Sequence, residues 1–571
     1  MSIFSYIRKQ FRKLFESRSY QDITPDEIFP DAHNRPGFNR YQLEGRLESR
    51  IQKYTIYVLA GIIALIFVGF LFQIGLLQIS HGNAYAKKSK QNTLDHQPII
   101  APRGQIVDTH GTRIGWNTDV EGQPYPKRVY ATTTGLSHIS GYVTPPQKDE
   151  SGNYYTRTFD GRGGVEAAFD TYLQGENGRM IIERNALGEH IAANTIKHPE
   201  PGNNLQLSID ADLQSQLYSI IASTAEKYDY RGGAGVLMNI DTGHLRGLVS
   251  YPEYSSQKLT SGRDAAYIEA ILNSSSTPFL NRATEGLYTP GSIVKPFVGV
   301  TALDTQIINP KEELLSTEEM RVQNPYDSDS VSIFTDWKAH GLVDMREALS
   351  VSSNVYFYKI AGGYKDQDGV GIDAIAEYMK AFELHGPTGA IGLVENNGII
   401  PNPDWKKRNF NGTPWRLGDT YNTAIGQYGF QITPLAAARS IAGIASAGEL
   451  PTPTIVQNRH KQAEPVPLDI SADAYDVIHD GMRRAVTDGT ADGLDVPYAD
   501  IAAKTGTAEV ARKDQINSWI IGFYPYSDPK YAFSVVMEHG PKDNTVGGLY
   551  VMRQLLDWMH QADSAYLPDN S

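Results

Sequence analysis

The 571-residue chain contains no cysteine. Disulfides, thiolate-bound zinc and thiol catalysis are therefore excluded, and the redox compartment stays open. Positive charge is in deficit: 52 Lys and Arg stand against 65 Asp and Glu, a net charge of −13. A general nucleic-acid binder needs the opposite balance, so no nucleic acid is expected as a partner. Neither an internal repeat nor a low-complexity tract interrupts the sequence. Charge is missing altogether from residues 54–80.

That charge-free run is long enough to cross about 30 Å of hydrocarbon as one helix. It starts too late and runs too long for a cleaved signal peptide, although Ala84-Tyr85-Ala86 resembles a cleavage site. An uncleaved single-pass anchor is expected. Arg35, Arg40, Arg46, Arg50 and Lys53 precede it, against Lys87, Lys88 and Lys90 after it. The bias puts the N-terminus in the cytoplasm and the bulk of the chain outside. Near the start, Ile3, Phe4, Ile7, Phe11, Leu14 and Phe15 share one helical stripe, and Arg8, Lys9, Arg12 and Lys13 the other. Such a helix suits an anionic membrane surface or a partner protein equally well.

Residues 81–202 read as a separate module, rich in Gly, Asn, Thr and Tyr, with short strand-like runs such as Gln97-Pro98-Ile99-Ile100 and Met180-Ile181-Ile182. Pro201-Gly202 closes it as a linker or turn. Leu205, Leu207 and Ile209 then alternate as in a strand, and residues 213–228 read as a helix. Two apolar runs, 235–239 and 245–249, flank Asp241-Thr242-Gly243 as a hairpin. Helical stretches follow around Ser292, 345–362 and 433–446. Strands return at 501–507, 518–523 and 531–537, before a helix at 547–562. Strands at both ends with helices between predict one α/β (α+β) domain whose sheet is built from both termini. The chain thus divides into a cytoplasmic tail (1–53), an anchor (54–80), a module (81–202) and a large domain (203–571).

Within that domain lies Ser292-Ile293-Val294-Lys295. A serine and a lysine three apart on a helix share one face. A hydroxyl becomes a good nucleophile once a base takes its proton, and a lysine held neutral can do so. Chance supplies about two such spacings in a chain this long, and Ser255-Ser256-Gln257-Lys258 is a second one. Position separates them. Downstream of Ser292 come Ser352-Ser353-Asn354 and then Lys504-Thr505-Gly506-Thr507. Ser292 follows Pro290-Gly291, which places it near a helix N-terminus, where free N–H groups face a developing oxyanion. A neutral Lys295 requires desolvation and a nearby cation, and Lys504 can supply the charge. Ser352 would relay a proton, and Asn354 would grip a peptide bond. Thr505 and Thr507, two apart on a strand, would hold a carboxylate beside Lys504, while Gly506 lets a neighbour come close. The N–H groups of Thr507 and Ser292 would form the oxyanion hole. Glu166, Glu183, His340 and Asp419 read as surface or structural polar groups. Residues 337–344 could border the cleft without a catalytic role.

The order S-x-x-K, S-x-N, K-T-G behind a single anchor resembles the class B penicillin-binding proteins. Further runs are most similar to the elongation-type members. They include Ser353-Asn354-Val355-Tyr356-Phe357-Tyr358, Gly398-Ile399-Ile400-Pro401 with Trp405, and Trp415-Arg416-Leu417-Gly418-Asp419-Thr420. Others are Ile425-Gly426-Gln427 before Thr433-Pro434-Leu435, and in the module Pro102-Arg103-Gly104, Gly141-Tyr142-Val143 and Gly163-Gly164-Val165-Glu166. The resemblance implies a penicillin-binding transpeptidase fold, an antiparallel sheet of about five strands flanked by helices, on a β-rich pedestal. It implies a D,D-transpeptidase that acts on peptidoglycan stem peptides through Ser292, is acylated by β-lactams, and needs no metal or organic cofactor. It also implies partners: a polytopic glycan polymerase and elongation-complex proteins. Three departures stand out. The stretch between Arg103-Gly104 and Gly141 is far shorter than in the family, so a pedestal head is missing. Tyr428-Gly429 replaces the family's glycine after Ile-Gly-Gln. The cysteine-bound metal site of some relatives cannot exist here. Alternative readings are a division-type class B transpeptidase, a D,D-carboxypeptidase or β-lactamase, and a non-catalytic activator of a glycan polymerase.

Overall fold

A computed structural model of the chain describes residues 53–567, except 93, 151–153, 185–189, 325–326, 458–463, 511–513 and 563. The amphipathic stripe of residues 1–15, and Arg35, Arg40, Arg46 and Arg50, lie outside the described residues. The chain falls into two units, Met1–Leu94 and Asp95–Ser571. In the first, Lys53–Ser80 forms one helical run of 28 residues, α-helical to Gly75 and a π-turn beyond. Its apolar side chains have no protein core to cover them: Leu65 is 74% and Phe72 69% exposed. At this length and composition the helix can span a bilayer. A second helix, Gly82–Asn92, follows.

The second unit is built on five strands: β1 (Gly232–Asn239), β2 (Leu245–Tyr251), β3 (Ala502–Glu509), β4 (Gln515–Tyr524) and β5 (Tyr531–Pro541). They pair in the order β2-β1-β5-β4-β3, every pair antiparallel. The expected hairpin is β1–β2, and the sheet does close through β1 on β5, joining the two ends of the domain. Seven of the eight β1 residues are buried, because both faces are covered.

Seven helices matter here: α1 (Ala211–Lys227), α2 (Lys295–Asp304), α3 (Met345–Ser350), α4 (Asn354–Gly362), α5 (Pro434–Ala445), α6 (Ala472–Thr487) and α7 (Gly548–Gln561). On one face Leu213, Leu217 and Ile221 of α1 and Val551, Met552 and Leu555 of α7 pack on Leu237, Val249 and Ile520. On the other face Phe297 of α2, Leu435 and Ile441 of α5 and Ile478 of α6 pack on Val236, Met238 and Ile521. All twelve α5 residues are buried, so its apolar character reflects the core between sheet and α6.

Three expectations change in detail. The strand begun by Leu205 stops at Gln206, parallel to Ile106–Val107. The chain must turn there, because the Asp210 side chain accepts from the N–H groups of Asp212 (2.9 Å) and Leu213 (3.0 Å) to start α1. Helix 345–362 is two helices, since Ser352 adopts φ +57°, which no α-helix accommodates. Pro201-Gly202 is no loose linker. Gly202 N–H donates to Pro102 O at 3.0 Å. A Cβ on Gly202 would lie 1.8 Å from Leu173 O. Backbone packs on backbone, and one core cluster runs from Ile106, Ile114 and Val165 to Ile293 and Ala502.

Candidate active site

Ser292 lies in a 3-10 turn, Gly291–Val294, that feeds directly into α2, of which Lys295 is the first residue. In a 3-10 turn, residues three apart eclipse. The shared face expected of Ser292 and Lys295 thus arises in the turn before the α-helix rather than along it. Three contacts fix the turn. Gly291 N–H donates to Gly426 O at 3.0 Å. Trp519 Nε1 on β4 donates to Thr289 O at 3.0 Å. Gly506 on β3 lies so close that a Cβ there would meet Ile293 Cγ2 and Pro290 O, each at 2.8 Å. The glycine of Lys-Thr-Gly therefore admits the turn that carries Ser292. Ser292 is half-buried, and its Oγ makes no hydrogen bond among the described residues.

Lys295 and Lys504 are both 0% exposed. Lys295 Nζ donates to Ser352 O and Asn354 Oδ1, each at 2.8 Å, and lies 3.3 Å from Ser352 Oγ. Lys504 Nζ donates to Ser352 Oγ at 2.8 Å and to Thr505 O at 3.0 Å. The three motifs thus meet at one hydroxyl, Ser352 Oγ, which the left-handed backbone of Ser352 aims between the two amines. Lys295 Nζ thus faces three acceptors: the Ser352 carbonyl, the Asn354 side-chain carbonyl and the Ser352 hydroxyl. Burial pushes Lys295 down to about 7, against the raising effect of Asp336. Burial also pushes Lys504 well below its ordinary value, and the charge of Lys295 adds to it. The repulsion is reciprocal, so the pair titrates as a unit and holds one proton far more readily than two. Burial is the one lowering cause for Lys295, and the neighbouring cation acts as the smaller of two causes on Lys504.

Thr505 is half-buried and Thr507 exposed on β3, an edge strand of the sheet. Thr505 Oγ1 donates to Thr490 Oγ1 at 2.9 Å, a partner that no sequence signal marked. A second unmarked residue is Asp336. It is 7% exposed and accepts from Ser353 Oγ (3.0 Å), Ser316 Oγ (3.2 Å) and Val355 N–H (2.9 Å). Ser353 Oγ also caps α4 through Tyr356 N–H at 3.0 Å. His340 Nε2 is 3.6 Å from the Asp336 carboxylate.

The other candidates resolve as structural groups. Ser255 Oγ accepts from Lys258 N–H at 3.3 Å as a helix cap, and Lys258 Nζ pairs with Asp264 at 3.1 Å. Glu166, 0% exposed, takes Arg103 Nε at 2.5 Å and Arg128 Nε at 2.7 Å. Asp419 pairs with Lys406, and Glu183 is exposed. Tyr428, at φ +64°, is clamped by Phe410, Trp405 and Trp415, with ring centroids 6.0, 5.9 and 5.7 Å away.

Comparison with known proteins agrees with this geometry. The model of the penicillin-binding protein transpeptidase domain matches residues 233–555, more than half of the chain. That of the penicillin-binding protein dimerisation domain matches residues 116–207. The peptidoglycan D,D-transpeptidase MrdA of Escherichia coli K12 is 28% identical over 483 residues, covering 78% of this chain and 73% of the relative. Penicillin-binding protein 2 of Helicobacter pylori, solved with MreC, superposes with a TM-score of 0.69 at 25% identity, covering 83% of this chain and all of that one. Penicillin-binding protein 2 of Pseudomonas aeruginosa, solved with WCK 5153, gives 0.68 at 26% identity, over 84% of this chain and 99% of that one. The chain belongs to the penicillin-binding protein transpeptidase family, as a class B penicillin-binding protein of the elongation-type D,D-transpeptidase group.

Proposed function

We propose that this D,D-transpeptidase works by an acyl-enzyme on Ser292 and cross-links stem peptides during cell-wall elongation. The observation that carries the reading is that Lys295, which directly follows the turn carrying Ser292, donates to Ser352 and Asn354 while Lys504 donates to the same Ser352. Ser292 Oγ attacks the carbonyl of the penultimate D-Ala, and its proton passes to Lys295. The N–H groups of Ser292 and Thr507 hold the oxyanion. Collapse breaks the C–N bond to the terminal D-Ala, whose amine takes the proton back through Ser352. The amine of a second stem peptide then attacks the ester, a new amide forms, and Ser292 regains its proton. Lys504, Thr505 and Thr507 hold the terminal carboxylate and Asn354 the peptide bond; Gly506 keeps the strand close to the nucleophile. A β-lactam enters as a mimic and stays as a stable ester. The anchor places the domain outside the membrane with the N-terminus in the cytoplasm. Residues 1–53 form the tail, 54–80 the span, 81–202 the pedestal and 203–571 the transpeptidase domain. Glycan strands come from a partner polymerase, assembled with elongation-complex proteins.

Labelling with a fluorescent penicillin tests the assignment. Wild type and Ser255→Ala should label equally, and Ser292→Ala should not label at all, with the adduct on Ser292 in a peptide digest. Labelling that survives Ser292→Ala would refute the nucleophile.

A further inference from the structure

Between the S-x-x-K and S-x-N segments lies a carboxylate that nothing in the three motifs accounts for. Asp336 joins three segments distant in sequence. Its Oδ2 accepts from Ser316 Oγ at 3.2 Å, from Ser353 Oγ at 3.0 Å and from Val355 N–H at 2.9 Å. Its Oδ1 accepts from Trp337 N–H at 2.9 Å. Ser316 and Ser353 also touch each other at 2.8 Å. These bonds pin the start of α4, the helix whose preceding turn carries Ser352 and whose first residue is Asn354. Both residues bind Lys295 Nζ. The Asp336 side chain is 0% exposed, in a region that also buries two lysines. An ionised carboxylate there is costly unless its charge is used.

We propose that Asp336 is a positioning residue of the transpeptidase site, holding the Ser352–Asn354 turn against Lys295 and supplying the counter-charge that lets one proton reside on the lysine pair. This rests on the acyl-enzyme reading of Ser292. The charged and titratable groups facing this carboxylate are Lys295 from α2, His340 from its own loop, on which Lys338 acts, and Tyr358 from α4, with Lys504 of β3 beyond Lys295. None of the others is a carboxylate. The electrostatic sign is fixed. A negative charge favours the protonated amine, so Asp336 raises the pH at which Lys295 becomes a base. Removing the charge makes Lys295 a base at lower pH. Removing only the hydrogen bonds loosens the turn and leaves that pH alone.

The test is the pH profile of Ser292 acylation by a fluorescent penicillin, 5 to 9, on the full chain in detergent, with thermal melting as the folding check. In wild type the rate should rise with pH to a plateau. Asp336→Asn should lower the plateau roughly 10-fold and move the midpoint of the rise to lower pH by about 1 unit. Asp336→Glu keeps the charge and should lose plateau while retaining the wild-type midpoint. Ser353→Ala removes a clamp bond and should likewise lower the plateau with the midpoint unmoved. A wild-type midpoint in Asp336→Asn, or an acid-shifted one in Asp336→Glu or Ser353→Ala, would overturn the proposal. Should Asp336→Asn fail to melt cooperatively, the other two variants decide by the same criterion. A wild type that does not label at all would instead sink the acyl-enzyme reading.

Discussion

Burying a lysine without exposed surface is costly, and Lys295 is such a lysine. Its folded value lies near 7 against an ordinary 10.5. Between those values the unfolded chain holds more protons than the folded one, so stability rises with pH across that window. Below about 7 both states are protonated and the penalty is full. Lys295→Met removes this contribution. Its stability relative to wild type should be most favourable at pH 7 and below, and should decline by at most about 1.4 kcal/mol per pH unit as pH rises toward 10. Urea midpoints of the detergent-solubilised protein measure this, and a difference that is flat from pH 7 to 9 would contradict a depressed lysine. That Lys295, Ser352, Asn354 and Lys504 come together was legible, because their motifs are recognisable residue types at fixed spacing. Asp336 was not. A lone aspartate has no signature, and its partners Ser316, Ser353 and Val355 converge only in the folded chain.

At the scale of elements, the turn that carries Ser292 is held by backbone against backbone. Gly426 has φ +73°, and a Cβ there would lie 2.1 Å from Gly291 O, one peptide before Ser292. Gly426→Ala should therefore displace the turn and cut the rate of penicillin labelling more than 10-fold, beyond the ~1–2 kcal/mol that the left-handed backbone costs any side chain. Gly262→Ala provides the comparison. Gly262 also has positive φ, +61°, but a Cβ there meets nothing within 4 Å. It should lose a similar increment of melting stability and keep its labelling rate; equal losses of labelling in both variants would show that the contact on Gly291 is immaterial. Strand and helix types follow from periodicity, which is why β1 to β5 and α1 appear close to their expected places. The break at Ser352 does not. Residues 345–362 keep an apolar helical pattern throughout, and the contacts around Ser352 at φ +57°, its bonds to two lysines among them, form only in the folded chain.

At the scale of the whole second unit, the segment before Pro201-Gly202 and the five-stranded sheet share one core. Ile106, Ile114, Leu136 and Val165 lie in the same cluster as Val236, Ile293 and Ala502. Composition suggested a separate module ending at Pro201-Gly202, because a turn dipeptide looks alike whether it hinges or packs; the 1.8 Å approach of a Gly202 Cβ to Leu173 O is invisible in sequence. A shared core makes a consequence testable far from the chemistry. Glu166 neutralises Arg103 and Arg128, all three side chains 0% exposed, with Tyr130 Oη donating to the same carboxylate at 3.1 Å. Glu166→Gln leaves two buried guanidiniums with only Asp170, 2.7 Å from Arg103, as counter-ion. Breaking a buried pair from one side costs about 3–5 kcal/mol. Because the damage is in the pedestal and the core is continuous, penicillin labelling at Ser292 should fail at the same lowered temperature as the pedestal fluorescence of Trp116, in a single transition. Were the two regions independent folding units, Trp116 would melt early and labelling would persist to the wild-type temperature.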